Sequence, residues 1–141
     1  MIAKQLNTLE LFDAWQQEGH SPHWRVQFPL MGVSGTESLG SVYFEIDPGQ
    51  ALPIHTDSRD ELVVLLSGSG EGTVGEATAE FSAGGIIFIP AMAPHGFRNT
   101  GADTIRAIGI FAGAAVISTF EHEVKPMGMT VFDLQAVPAG G

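Results

Sequence analysis

The chain has 141 residues, 44% of them hydrophobic, enough for one globular domain with a real core. It contains no cysteine, which excludes disulfides, iron–sulfur clusters and thiolate zinc sites, so any metal must be held by nitrogen and oxygen. Sixteen acidic residues against six basic ones give a formal charge of −10, and with no basic patch to overrule it this charge repels nucleic-acid phosphates and anionic lipid.

No apolar run approaches the length of a membrane span, and the N-terminus lacks the basic stretch and apolar core of a secretory signal, so a cytoplasmic location is the expectation. Residues 5–17 read as a helix. Asn7 with Glu10 resembles a capping box, Leu9, Phe12 and Trp15 recur at helical spacing beside Leu11, and Gly19 is a stop signal. Residues 1–20 are therefore expected to form a helical segment packed on the outside of a sheet or against a second subunit. From about residue 22 the grammar changes to short β-rich runs at 24–28, 39–46, 61–66, 86–89, 104–111 and 116–120. Turn clusters such as Asp47-Pro48-Gly49 and Asn99-Thr100-Gly101 separate them. Residues 21–137 thus read as a single all-β domain, a sandwich or barrel, with a frayed tail at Pro138-Ala139-Gly140-Gly141.

Two stretches share one spacing logic: Gly49-x5-His55-x-Asp57-x3-Glu61-x6-Gly68 and Gly84-x5-Pro90-x-Met92-x2-His95-x3-Asn99. Pro53 favours an extended entry, and residues two apart in a strand face the same side, so His55 and Asp57 point together. Glu61 follows the corner Ser58-Arg59-Asp60 at the head of the next apolar run, and His95 follows a segment with two prolines. Together His55, Asp57, Glu61 and His95 offer two imidazoles and up to two carboxylates. Such a donor set suits one divalent ion of iron, manganese, nickel, cobalt or zinc. Should Asp57 not ligate, His55, Glu61 and His95 form a two-histidine, one-carboxylate triad with open positions.

On these residues the chain resembles a small single-domain bacterial cupin. The first motif is met at Gly49, His55, Glu61 and Gly68, and the second at Gly84, Pro90, His95 and Asn99. The resemblance implies a double-stranded β-helix, a conical jelly-roll barrel with the metal inside. It places His55, Glu61 and His95 on three of the four usual ligand positions. Asp57 stands where a histidine is usual and Met92 where a glycine is usual. Asp57 either ligates, adding negative charge that favours harder metals, or serves as a general base or hydrogen-bond acceptor; Glu61 is the other candidate base. Met92 narrows the pocket mouth or simply packs.

Family pockets often use an arginine to hold a substrate carboxylate. That makes Arg106, in an apolar run, and Arg98, three residues beyond His95, candidate substrate-binding residues alongside Met92 and Phe97; an outward-facing salt bridge is the competing reading for both arginines. Tyr43, Phe44, Phe88, Phe97 and Phe111 are candidates to wall an apolar pocket. His122, His20 and His23 read as loop and turn residues, and Gly68-Ser69-Gly70-Glu71-Gly72 as a hairpin turn rather than a phosphate cradle. The reading is a metal-dependent enzyme on a small-molecule substrate, either an iron(II) dioxygenase type or an isomerase or lyase type. Its alternative is a non-catalytic binding or sensing barrel. A homodimer through the outer sheet is expected from the apolar N-terminal segment and the two-faced apolar strands.

Overall fold

Twelve strands wind through residues 1–134, the part of the chain that the computed structural model describes. In chain order they are β1 (Phe12–Trp15), β2 (His23–Leu30), β3 (Gly40–Ile46), β4 (Ala51–Asp57), β5 (Glu61–Ser67) and β6 (Ser69–Val74). They continue with β7 (Ala77–Ser82), β8 (Ile86–Ile89), β9 (His95–Arg98), β10 (Ile105–Phe111), β11 (Ile117–Val124) and β12 (Met129–Asp133). All pair antiparallel in two six-stranded sheets, ordered β1-β2-β3-β10-β5-β8 and β12-β11-β4-β9-β6-β7, which face each other as a jelly-roll barrel. Strand β5 shows the logic. Glu61, Val63 and Leu65 are buried on its inner side, while Leu62 and Leu66 remain exposed on the outer one.

The helix expected over residues 5–17 does not form. A single 3-10 turn spans Leu6–Thr8, and Phe12–Trp15 is a strand laid along β2, with Phe12 opposite Val26 and Trp15 opposite His23. An isolated helix of that length is marginal in water, whereas the open edge of β2 offers a ladder of backbone partners and a place to bury Ala14. Glu10 caps nothing; its carbonyl accepts a hydrogen bond of 2.8 Å from the amide of buried Gln27. The segment before β1 is thereby tied to the outer side of β2.

The glycine-rich stretch at 68–72 is also not a hairpin turn. It enters β6, which pairs with both β7 and β9. A side chain on Gly70 would strike the Arg98 carbonyl, so the glycine is what lets β6 approach. The expected tail at 138–141 lies outside the described residues.

The outer face of β10-β5-β8 is apolar in register. Ile110, Leu62 and Phe88 form one row, and Ile108, Val64 and Ile86 the next. Phe88 and Ile86 are 60% and 68% exposed. No helix among the described residues is long and apolar enough to cross a membrane.

Candidate metal centre

Both imidazoles come from neighbouring strands. His55 on β4 is the cross-strand partner of His95 on β9, and their ring centroids are 4.2 Å apart. The β4–β9 register shifts between Leu52 and His55, so Leu52 and His55 both face the interior although they are three residues apart. Asp57, two residues on from His55, follows it inward. Its Oδ2 lies 3.1 Å from His95 Nε2 and 3.6 Å from His55 Nε2. Glu61 arrives from the opposite sheet, with Oε1 3.4 Å from His95 Nε2. All four side chains are buried.

Each imidazole is oriented by its own strand. His55 Nδ1 donates to the Pro53 carbonyl at 2.7 Å and His95 Nδ1 to the Ala93 carbonyl at 2.9 Å. A carbonyl only accepts, so Nδ1 carries the proton in each ring. With a metal bound, the neutral imidazoles would turn their Nε2 lone pairs to it, as a metal ligand requires. Donor atoms of His55, Asp57 and His95 lie within 4.8 Å of one another. Around a metal with bonds of about 2.1 Å, ligand atoms are separated by about 3.0 Å along an octahedral edge and about 3.4 Å along a tetrahedral one. The observed 3.1–3.6 Å spacings match those edges, so the donor set fits a divalent cation.

The electrostatics show the same demand for positive charge. Burial works against ionising Asp57, but hydrogen bonds from His55 and His95 outweigh it and hold its carboxyl well below the usual range. Burial pushes Glu61 up, and the neighbouring Asp57 charge adds to that. His95 is opposed by burial yet raised to about 10 by its contacts with Asp57 and Glu61. Without a metal, a proton between the imidazole and the two carboxylates supplies the charge that a cation would otherwise bring.

The four residues form one end of a cavity of about 530 Å³. Trp24, Phe44, Phe97, Phe111, Phe120 and Phe132 are among its walls, and exposed Phe12, Met127 and Met129 also line it. Phe120 stacks on His55 with centroids 4.7 Å apart and on Trp24 at 5.8 Å, linking the histidine side to the apolar wall.

Phe97, Phe44 and Phe111 line this cavity as the sequence reading allowed, whereas Arg106, Arg98, Met92, Tyr43 and Phe88 do not. Strand parity is the reason for the arginines. On β10, Ala107, Gly109 and Phe111 are the buried positions, so Arg106 points outward, where its Nε donates to Tyr43 Oη at 2.6 Å beside Glu45. Arg98 is three residues from His95 on β9, hence on the opposite face, in a surface depression with Glu71 and Asn99. Met92 is 59% exposed at φ +66°, in a turn closed by Ala93 N to Pro90 O, where a type II turn favours glycine. His20, His23 and His122 lie away from the cavity lining.

The sequence reading missed Trp24, Phe120 and Phe132 as walls, and it missed Gly109. A Cβ on Gly109 would collide with the Glu61 carboxylate, so this glycine is the space that Glu61 occupies. A lone glycine inside an otherwise β-branched run, Ile108-Gly109-Ile110, was the available signal.

Residues 42–111 match the family model for the cupin domain, Cupin_2. The chain is a small cupin-superfamily protein. No curated protein matches this cupin by sequence. Among solved structures it is similar to a predicted oxalate decarboxylase from Thermotoga maritima, at 14% identity and a TM-score of 0.68, covering 79% of this chain and 98% of that one. It is similar to the polyketide cyclase RemF from Streptomyces resistomycificus, at 21% identity and a TM-score of 0.64, covering 79% and 78%. Against oxalate decarboxylase from Lactobacillus farciminis, at 20% identity and a TM-score of 0.65, the match covers 78% of this cupin and 32% of the larger protein. These likenesses establish the barrel, while the chemistry rests on the residues described above.

Proposed function

We propose that this cupin is a metal-dependent enzyme acting on a small organic molecule, with the ion held by His55, Asp57 and His95 and with Glu61 beside it. The observation that carries the reading is a buried nitrogen–oxygen donor set, spaced as a divalent cation requires, in the lining of a mostly apolar cavity. A bound divalent ion would supply Lewis acidity and, were it iron(II), a position for dioxygen. The rest of the work falls to this chain's own groups. The backbone carbonyls of Pro53 and Ala93 keep both imidazoles in the ligating tautomer. The aromatic walls exclude water. Glu61, whose carboxyl burial favours keeping protonated, is the group placed to give or take a proton at a substrate oxygen near His95. Three protein ligands leave positions open, which supports the dioxygenase type. Glu61 as a proton carrier supports the isomerase or lyase type.

The test is metal analysis of protein purified without chelators and after reconstitution with Fe(II), Mn, Ni, Co and Zn, beside a His55→Ala/His95→Ala variant. One equivalent in the parent and none in the variant is the expected result. No stoichiometric metal in any preparation would sink the enzyme reading. Dioxygen consumption against catechols and diketones then separates the two reaction types.

We also infer a homodimer through the outer face of β10-β5-β8. The N-terminal segment is tied to the β2 side of that sheet, leaving the Ile110-Leu62-Phe88 rows uncovered. The exposed side chains of Leu62, Leu66, Ile86, Phe88 and Ile110 present roughly 500 Å² of apolar surface, more than half of the ~800 Å² per partner of a stable interface. For a chain of charge −10, a face free of carboxylates is where a second copy meets least repulsion.

A further inference from the structure

The cavity walls carry more information than the metal ligands do. Eight aromatic side chains line it, and among the described residues no lysine or arginine does. Apart from the two histidines, the ionisable groups that reach it among the described residues are Asp57, Glu61 and Asp133, all acidic. Every arginine whose partners are known is engaged elsewhere: Arg25 with Glu45 and Asp47, Arg106 with Tyr43 and Glu45, Arg59 with the Ala115 carbonyl. A substrate carboxylate or phosphate placed along these walls would be desolvated without a partner and would face like charge. The neighbouring fold relatives described as oxalate decarboxylases are named for a small dianion; away from the histidines, the described residues of these walls offer no cation to hold a second anionic group.

Size and shape point to what fits instead. A cavity of about 150 Å³ suffices for benzene, so 530 Å³ accommodates about three rings. Planar stacking is already built into one wall. The planes of His55 and Phe120 are inclined by 15° and those of Phe120 and Trp24 by 18°, so the three rings stack in near-parallel planes and join the histidine end of the cavity to an aromatic wall.

We propose that the substrate is a multi-ring aromatic molecule with no carboxylate or phosphate, packed among the aromatic side chains that line the cavity, with a hydroxyl or keto oxygen pair turned to the metal centre. This rests on the metal-dependent reading above for the oxygen pair, and on the cavity alone for the rings. The oxygens end beside Asp57, Glu61 and the two histidines, and the rings take the remaining length towards Phe12 and Met129.

The experiment measures dissociation constants by calorimetry for metal-reconstituted and metal-stripped protein. One series adds fused rings to a constant chelating head: catechol, 2,3-dihydroxynaphthalene and 2,3-dihydroxyanthracene. A second pair changes only charge at the far end, 4-propylcatechol against 3-(3,4-dihydroxyphenyl)propionate. A third ligand, 4-hexylcatechol, replaces rings by a flexible tail. Each fused ring is expected to tighten binding at least fivefold, and the propionate to bind at least tenfold more weakly than propylcatechol. Dihydroxyanthracene is expected to bind more tightly than hexylcatechol. Equal or tighter binding of the propionate, no gain with ring number, or preference for the hexyl tail overturns the proposal. If the ring order holds but metal loading changes no affinity, the substrate class stands and the metal-dependent reading is what fails.

Discussion

Gly109 is the position at which the barrel makes room for Glu61, and the cost of filling it can be worked out in advance. The residue lies mid-strand in β10, opposite Val42 on β3 and Val63 on β5. Replacing a strand glycine by alanine would by itself gain about 0.5–1 kcal/mol from reduced unfolded-state freedom. Here the new Cβ would collide with the Glu61 carboxylate and sit 2.8 Å from Val42 Cγ1. Overpacking of that kind costs about 1–3 kcal/mol, so Gly109→Ala should destabilise by a net ~0.5–2 kcal/mol, or roughly 2–8 °C for a domain of this size. The carboxylate is the end of a flexible side chain, so part of the strain is relieved by driving Glu61 off His95. The decisive assay is a double-mutant cycle by chemical denaturation. In a Glu61→Ala background the main obstruction is gone, only the Val42 contact remains, and Gly109→Ala should fall within about 0.5 kcal/mol of neutral. The expected coupling is about 1–2 kcal/mol. A coupling below about 0.5 kcal/mol would show that Gly109 and Glu61 do not share this space and would refute the argument.

Met92 holds a left-handed conformation at the turn position where glycine is favoured. That conformation costs a side-chain-bearing residue about 1–2 kcal/mol, against the ~0.4–1 kcal/mol of extra unfolded-state entropy that glycine brings, so Met92→Gly should raise stability by up to about 1 kcal/mol; a lowered denaturation midpoint would count against the turn assignment. Arg25 holds the Asp47 carboxyl down to about 2 despite partial burial. A depressed carboxyl stabilises above its unfolded value of about 4 and loses that contribution as pH falls towards 2. With Asp47 42% exposed, solvent screening keeps it below about 1 kcal/mol, and Asp47→Asn should flatten the stability profile over that window. Phe88→Glu should convert a dimer to monomers in sedimentation at micromolar concentration, and a monomeric parent protein would refute the interface. Asp57→Asn should lower metal affinity by at least about 100-fold, and retained affinity would remove Asp57 from the ligand set.

The cluster of His55, Asp57 and His95 was legible in the sequence because each stretch carries its own spacing. His55 and Asp57 share a face by strand parity alone, and the glycine-bounded spacing of the second stretch brings His95 to them. The cavity was not legible for the same reason that β5 is hard to read: Leu62, Val64 and Leu66 outside are as apolar as Val63 and Leu65 inside, so composition does not say which face is the interior. Arg106 was placed at the substrate because an arginine in an apolar run looks buried. In fact Tyr43 and Glu45 supply its partners on the outer face. The N-terminal segment was read as a helix because Leu9, Phe12 and Trp15 happen to fit a helical repeat. What decided its structure was the free edge of β2, a partner eight to fourteen residues on that no local pattern reveals.

Asp57 ties these observations together. As a carboxylate between His55 and His95 it sets the charge of the centre, and its presence helps drive the neighbouring Glu61 towards the neutral acid. An imidazole in its place would leave Glu61 the only carboxylate facing His95, and Glu61 would then be needed as an anion. The departure from the family pattern at residue 57 therefore frees Glu61 from supplying charge and leaves it available to move a proton. It also gathers two of the cavity's three carboxylates beside the histidines, in a lining that is otherwise mostly aromatic and aliphatic.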